Sequence, residues 1–598
     1  MKRLHPALLA SLLAILPLSG WAATPSAPAS TGTQSPEQQV DALFAKWNKP
    51  DTPGCAVEVI RDGKVLFRKG YGMSDIEQAV PISPTTVFNV ASTSKQFTAF
   101  AIYLLAQDGK LSLDDDIRKY LPETPNFGKT ITIRHLLHHT SGLRDYLNLL
   151  VLAGWRIDDV ITQDDALGMI QRQRALNFAP GQEYLYSNSG YFLLAQIVQR
   201  VSGKPFAAFA KERIFDPLGM KHTLFHEQYG ALVPGRALSY MPARDGGYQY
   251  VATSSSMVGP GNLLTTVDDL ALWDRNFYDA RVGGKELIAQ LQVPGMLNSG
   301  AAIKYASGLF IESYRGLKLV EHSGELPGFG AQLSRFPEQR FSVVVLANTP
   351  KMNPSAMARR IADIFLDKEL GPKPMPAAQP APLTEIALDP ARLDALAGYY
   401  ALEPDFGLAI TKEDGRLLAQ GTGQQKVPLS AASEREFFFT SADLRLTFDP
   451  PGKDGLSGRL VLHQRGSDLP ASRSAQPGLL LEGAKAFEGE FYSDELHVLY
   501  TVALKGGKLM LTYPRGTVEL TFTGNGIFAA DFPIGEIKYQ CTPQAGCTGF
   551  TATNGRVRDL QFTKVAIVGA GVRATAATGV FLERETVTKA DSQGKPAS

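Results

Sequence analysis

Three things are scarce in this 598-residue chain: cysteine, excess charge of either sign, and long apolar runs. A bilayer-spanning helix needs about 20 apolar residues. The longest apolar run, Leu8–Leu18, falls short of that, and no later stretch reaches it. A chain anchored by helical spans is therefore not expected, an uncleaved anchor at the start being the alternative. Charge is balanced, 60 basic against 59 acidic side chains, with no basic stripe. That argues against nucleic acid as the main partner. Only three cysteines occur and none forms Cys-x-x-Cys, so neither a zinc ribbon nor a thioredoxin-type site is indicated. His135 and His139 stand four apart, the spacing of zinc ligands in His-Glu-x-x-His. The intervening Glu is missing and no third ligand suggests itself, so no metal and no cofactor are expected.

The first residues read as a secretory signal. Lys2 and Arg3 precede the apolar run, and Gly20-Trp21-Ala22 offers small residues before a cut near Ala22 or Ala23. Residues 1–23 are therefore expected to be removed, leaving a periplasmic or secreted bacterial protein with no membrane span. In an oxidising compartment Cys541 and Cys547, with Pro543 and Gly546 between them, are expected to form a small-loop disulfide. Cys55 sits in an apolar strand-like run and reads as a buried small hydrophobe. The 44% hydrophobic content is that of a globular protein, and the length is too great for one core.

The Pro/Ser/Thr-rich stretch 24–37 reads as a linker, and a first helix is expected over Gln38–Trp47. Arg61-Asp62-Gly63-Lys64 marks a hairpin within Gly54–Gly72. Phe97, Phe100, Ala101, Leu104 and Leu105 then recur at helical spacing, with Gly109 as a C-terminal stop. Ser92 falls at the mouth of this helix and Lys95 one turn on, so the lysine amine can reach the serine hydroxyl. A serine hydroxyl becomes nucleophilic when a nearby base takes its proton. A lysine becomes that base when burial lowers its pKa. Ser-x-x-Lys alone is a weak signal: Ser592-Gln593-Gly594-Lys595 also matches, in a polar tail.

Two further motifs follow. Tyr186-Ser187-Asn188 comes after the turn Pro180-Gly181 and directly before an apolar helix (Tyr191–Val201). Tyr146-Leu147-Asn148 has the same letters without that setting. His322-Ser323-Gly324-Glu325 lies among strand-like runs at Leu317–Val320, Gln332–Phe336 and Phe341–Ala347, which suggest an antiparallel sheet. Met352–Leu366 reads as a closing helix.

Five prolines in Gly371–Pro382 mark a stiff linker, residues 371–385. Beyond it the texture becomes short alternating strands with an internal repeat. Leu396-Ala397-Gly398-Tyr399-Tyr400 resembles Phe487-Glu488-Gly489-Glu490-Phe491-Tyr492, and Gly458-Arg459-Leu460 matches Gly555-Arg556-Val557. Two small antiparallel barrels, 386–475 and 476–590, are expected, because closure removes exposed strand edges.

In order and spacing, Ser92-x-x-Lys95, Tyr186-x-Asn188 and His322-x-Gly324 resemble the class C β-lactamase-like serine hydrolases. This group includes β-lactamases, D-alanyl-D-alanine carboxypeptidases, D-aminopeptidases and esterases. The resemblance covers about residues 38–368 and implies a β-lactamase/penicillin-binding-protein-like α/β (α+β) domain over 38–370, an antiparallel sheet flanked by helices with a helical subdomain. It implies that Ser92 is acylated and that Lys95 and Tyr186 share its proton and pass it to the leaving group. Asn188, His322 and Gly324 would contact substrate, and the backbone N–H groups of Ser92 and Glu325 would form the oxyanion hole. Where many relatives carry Lys-Thr-Gly, this chain has His322, mostly neutral at pH 7. That departure disfavours substrates held by a carboxylate. With two barrels behind it, the chain is most similar to D-aminopeptidases, and a D-amino-acid peptide or amide is the expected substrate, peptidoglycan-derived peptides included. The alternatives are a short-chain esterase or weak β-lactamase or carboxypeptidase, and a non-catalytic sensor of cell-wall fragments.

Overall fold

A computed structural model describes residues 34–565, apart from 157, 253, 373–384, 404–405, 422–425, 440–443, 465–466, 476–480, 525 and 543–545. The segment read as a secretion signal, most of both stretches read as linkers, and Ser592 with Lys595 lie outside the described residues. Among the described residues no helix is long and apolar enough to cross a membrane.

The first helix, α1 (Pro36–Phe44), begins inside the stretch read as linker. Ser-Pro there is a helix start rather than a flexible segment. Ser35 caps the helix reciprocally with Gln38, and Pro36 occupies the first turn, where its missing N–H costs nothing.

The N-terminal unit is built on six strands: β1 (Cys55–Arg61), β2 (Lys64–Tyr71), β3 (Phe310–Tyr314), β4 (Leu317–Leu326), β5 (Phe329–Phe336) and β6 (Phe341–Ala347). They run antiparallel in the order β3-β4-β5-β6-β1-β2, so the N-terminal hairpin is added to the edge of a C-terminal meander. Every residue of β6 is buried because both faces of the sheet are covered. Val343, Val345 and Ala347 pack with α1 and the closing helix α6 (Pro354–Phe365). Val344 and Leu346 join the larger core on the other face. The two-residue period of a strand thus feeds two cores from one run of sequence.

The larger core surrounds α2 (Lys95–Gln107), which is buried from Lys95 to Leu105. Against it lie α4 (Asn188–Ser202), ended by left-handed Gly203, and α5 (Val267–Asp279). A shorter helix, α3 (Tyr146–Leu152), follows Asp145, which caps it.

The two C-terminal sheets share one circular strand order. The second is a hydrogen-bonded closed barrel of eight strands between Gly489 and Val565. The first has nine pieces between Gly398 and Ser474, and the two ends of its order, Val427–Pro428 and Ser430–Ala431, are separated only by Leu429. One strand is broken there, and the chain itself joins the edges. Gly398 and Gly489 open the first strand of each barrel, and the repeat partners Tyr400 and Phe491 are both fully buried. Cys541 and Cys547 are joined in a disulfide across a hairpin of the second barrel, and Cys55 is a buried free thiol.

Candidate active site

Ser92 lies in a one-turn 3-10 helix, Ala91–Ser94, that runs straight into α2. The serine is therefore held by the tighter turn in front of the helix rather than by the helix itself. Strand β4 crosses directly against this turn. A Cβ placed on Gly324 would stand 2.0 Å from the carbonyl oxygen of Val90, so only glycine fits. The Gly324 of the third motif thus sets how closely β4 approaches Ser92. Thr93 reinforces the contact by donating to the His322 carbonyl at 3.3 Å.

The Lys95 amine is fully buried and stands 3.0 Å from Ser92 Oγ, 2.9 Å from Asn188 Oδ1 and 2.8 Å from the Pro260 carbonyl. Burial drives its pKa well below the ordinary lysine range; the Arg556 cation pushes the same way, and the Asp145 carboxylate opposes them. A neutral amine has two N–H donors and one lone pair. In that form the oxygens of Asn188 and Pro260 match the two donors, and the lone pair is free to accept from the Ser92 hydroxyl. Tyr186 lines the same cavity as Ser92, and desolvation raises its hydroxyl well above the usual phenol range. Its ring lies under the Lys95 amine, 4.8 Å from Nζ to ring centre. The tyrosine therefore keeps its proton, and the lysine is the group that can receive one.

Asn188 begins α4, and its side chain is fully engaged. Its Oδ1 faces Lys95, its Nδ2 donates to Asp145 Oδ2 at 2.9 Å, and its backbone N–H donates to the same oxygen at 2.7 Å. Asp145 is wholly buried and also accepts from the N–H groups of Leu147 and Asn148 as the cap of α3. Asn188 thus bridges the Lys95 amine to a buried carboxylate that motif spacing did not single out. The available signal was an Asp directly before an apolar helical run.

His322 is 2% exposed, with Nε2 3.1 Å from the Tyr305 hydroxyl and Nδ1 beside the Ser323 carbonyl. Burial lowers its pKa to about 3, so it is neutral at any physiological pH. His139 packs under Tyr186, ring centres 4.2 Å apart, and accepts from the Ser187 N–H. His135 is spent on capping its own short helix. Among the described residues no cluster of His, Cys, Asp or Glu could hold a metal ion.

Ser92, Tyr186, Asn188, His322 and Glu325 all line one cavity of about 690 Å³. Glu325 follows Gly324 on β4, so its backbone borders the space in front of Ser92, and its side chain is exposed. Much of the wall is apolar: Leu147, Val151, Ile161, Met257, Phe310 and Leu326. Two further wall residues, Phe532 and Arg556, come from the second barrel.

The Beta-lactamase family matches residues 40–367. Penicillin-binding protein 4* of Bacillus subtilis is 28% identical over 74% of this chain and 99% of its own length. A D-aminopeptidase of Brucella melitensis is 28% identical over 76% of this chain and 82% of its own length. Among solved structures, the octameric penicillin-binding protein homologue from Pyrococcus abyssi shares the fold, with a TM-score of 0.51 and 22% identity over 81% of this chain and 98% of that one. A match across more than half of the chain, on an α+β unit with Ser92 and Lys95 in contact, makes this protein a member of the Beta-lactamase family and a serine hydrolase.

Proposed function

We propose that the protein cleaves D-amino-acid-containing peptides or amides through an acyl-enzyme on Ser92, in the periplasm or outside the cell. The observation that carries the mechanism is the buried Lys95 amine 3.0 Å from Ser92 Oγ, where burial favours its neutral form. Lys95 takes the hydroxyl proton as Oγ bonds to the substrate carbonyl carbon. The N–H groups of Ser92 and Glu325 receive the developing oxyanion. Collapse breaks the carbon–nitrogen bond, and the proton held by Lys95 and Tyr186 goes to the leaving amine, Tyr186 being the protonated group beside Ser92. Water then hydrolyses the ester with Lys95 as base again. Asn188 holds the lysine, and Gly324 sets the depth of the cleft.

Similarity to D-aminopeptidases supports the substrate class. So does Glu325, an exposed carboxylate on the cavity wall able to pair with a substrate amine; the other acidic wall residue, Asp158, is already paired with Arg156. Neutral His322 favours a second reading, hydrolysis of short esters, which need no cation at that position. The test is to compare initial rates on a D-alanyl anilide, a cephalosporin and a short-chain ester, with Ser92→Ala alongside. The expected result is Ser92-dependent preference for the D-alanyl compound. Turnover retained in Ser92→Ala overturns the mechanism, and preference for the ester moves the assignment to the second reading.

A further inference from the structure

The loss of a lysine at position 322 removes the expected cation from β4, yet the cavity is not without one. Arg556 stands at the tip of the hairpin joining Gly546–Asn554 to Val557–Val565 in the second barrel, and it lines the cavity with Ser92. The tip is clamped to the N-terminal unit. The Arg556 carbonyl accepts from the Asn177 side chain at 2.9 Å and from the Asp145 N–H at 3.4 Å. The next residues are held as well: Arg558 N–H donates to Asn177 Oδ1 at 2.8 Å, and the Arg558 guanidinium donates to Glu183 at 3.0 Å.

The Arg556 guanidinium itself is far less committed. It lies 4.8 Å from the Tyr186 ring centre and 3.6 Å from Asp145 Oδ2, and its side chain is 41% exposed. Among the described residues it makes no side-chain hydrogen bond. Five N–H donors in a rigid fork are thus stacked on the catalytic tyrosine and open to the cavity. Asp145 cannot absorb all of them, because its oxygens already accept from Asn188, Leu147 and Asn148.

We propose that Arg556 recognises a carboxylate on the leaving-group side of the substrate, so that the enzyme acts on short peptides whose first residue after the scissile bond carries the free C-terminus. The side follows from Tyr186, which hands a proton to the leaving nitrogen and carries the guanidinium on its ring; the inference rests on that part of the mechanism above. The charge supplied elsewhere by a strand lysine is here supplied by another domain, in a planar form suited to a bidentate carboxylate.

The test measures kcat/KM on two pairs of compounds: D-alanyl-glycine with its C-terminal amide, and an aryl acetate with and without a carboxylate on the leaving phenol. Within each pair the anionic-to-neutral ratio is compared between wild type and Arg556→Ala, Arg556→Gln and Arg556→Lys, with thermal melts confirming folded protein. Removal of the guanidinium is expected to lower the ratio roughly 10- to 100-fold, mostly through KM, as for loss of a hydrogen bond to a charged group. Arg556→Lys should restore part of it, and added salt should shrink the wild-type ratio. A ratio unmoved by Arg556→Ala and Arg556→Gln, with both members slowed equally, would show a merely structural arginine and overturn the proposal. If neither D-alanyl compound is cleaved but the esters are, the D-amino-acid reading falls. The ester pair then decides Arg556 by the same ratio, in either direction.

Discussion

The two C-terminal barrels share a strand order and a sequence repeat, but they relate to the rest of the molecule in opposite ways. Apolar residues of the second, such as Phe491, Tyr500, Phe550 and Phe562, belong to the same continuous core as α2 and α3. Those of the first, such as Tyr400, Phe437, Leu446 and Phe448, form a core of their own. The repeat partners Arg459 and Arg556 show the same split. Arg459 is exposed at the start of a strand of the first barrel, whereas Arg556 lines the candidate active-site cavity. A repeated fold therefore does not imply a repeated role: the second copy has been built into the enzyme, and the first stands by itself.

The largest expected effect comes from cutting the joint of the second barrel. Arg144 and Glu495 form an ion pair at 2.7 Å with both side chains almost wholly buried. Arg144 also donates to the carbonyls of Arg558 and Asp559, behind the hairpin tip. Glu495→Ala leaves a guanidinium buried without its counter-ion, which costs about 3–5 kcal/mol. Denaturant unfolding should show this loss together with loss of activity, because the hairpin is released. In the first barrel, Lys412→Ala removes a solvent-exposed pair with Asp394 and should cost below about 1 kcal/mol. Equal losses would break the contrast.

Next in size is a cavity in the free-standing barrel. Leu446 is fully buried there, and Leu446→Ala should cost about 2–5 kcal/mol. Because that core is separate, calorimetry should show one early transition for the first barrel, with kcat/KM of the folded enzyme kept. A single transition shifted as a whole would mean that the two cores melt together.

The pattern of what the sequence revealed follows the same division. Motifs whose geometry is local were legible. Ser92 and Lys95 are one helical turn apart, and Tyr186 and Asn188 stand at a turn before an apolar helix, so spacing alone brought their side chains near one another. The repeat was legible too, because alternating strands and Gly-rich turns carry it. The roles of Asp145 and Arg556 were not. Asp145 is marked only as a helix cap, and its link to Lys95 passes through Asn188, which is distant in sequence. Asn554-Gly555 announces a hairpin, but where the hairpin points depends on how one folded unit docks on another. The need for glycine at 324 is likewise fixed by β4 pressing on Val90, a contact across more than 200 residues.

A smaller effect should come from Tyr500, whose buried hydroxyl donates to the Leu152 carbonyl at 2.6 Å at the end of α3. Tyr500→Phe removes that bond across the joint and should cost about 1 kcal/mol, read as a modest fall in Tm. The matching change in the first barrel, Tyr400→Phe, removes bonds to the Leu396 and Ser457 carbonyls within the barrel itself. Only the early transition should move in that variant.

The finest distinction is electrostatic and concerns the base. In the proposed mechanism Lys95 works when neutral, so activity should rise as pH passes its pKa from below. The Arg556 cation disfavours the charged amine and so lowers that pKa, after burial, while Asp145 raises it. In Arg556→Ala the charged form is relieved of a like charge, the pKa rises, and the acidic limb of kcat/KM on a neutral ester should move to higher pH. In Asp145→Asn the charged form loses its attracting partner, and the limb should move to lower pH. Arg459, the repeat counterpart on the first barrel, lies outside the cavity lining, and Arg459→Ala should leave the limb in place. Opposite displacements in the first two variants and none in the third would show that the second barrel helps to set the protonation of the catalytic base. Displacements in one direction only would mean that the hairpin acts on Lys95 through packing rather than charge.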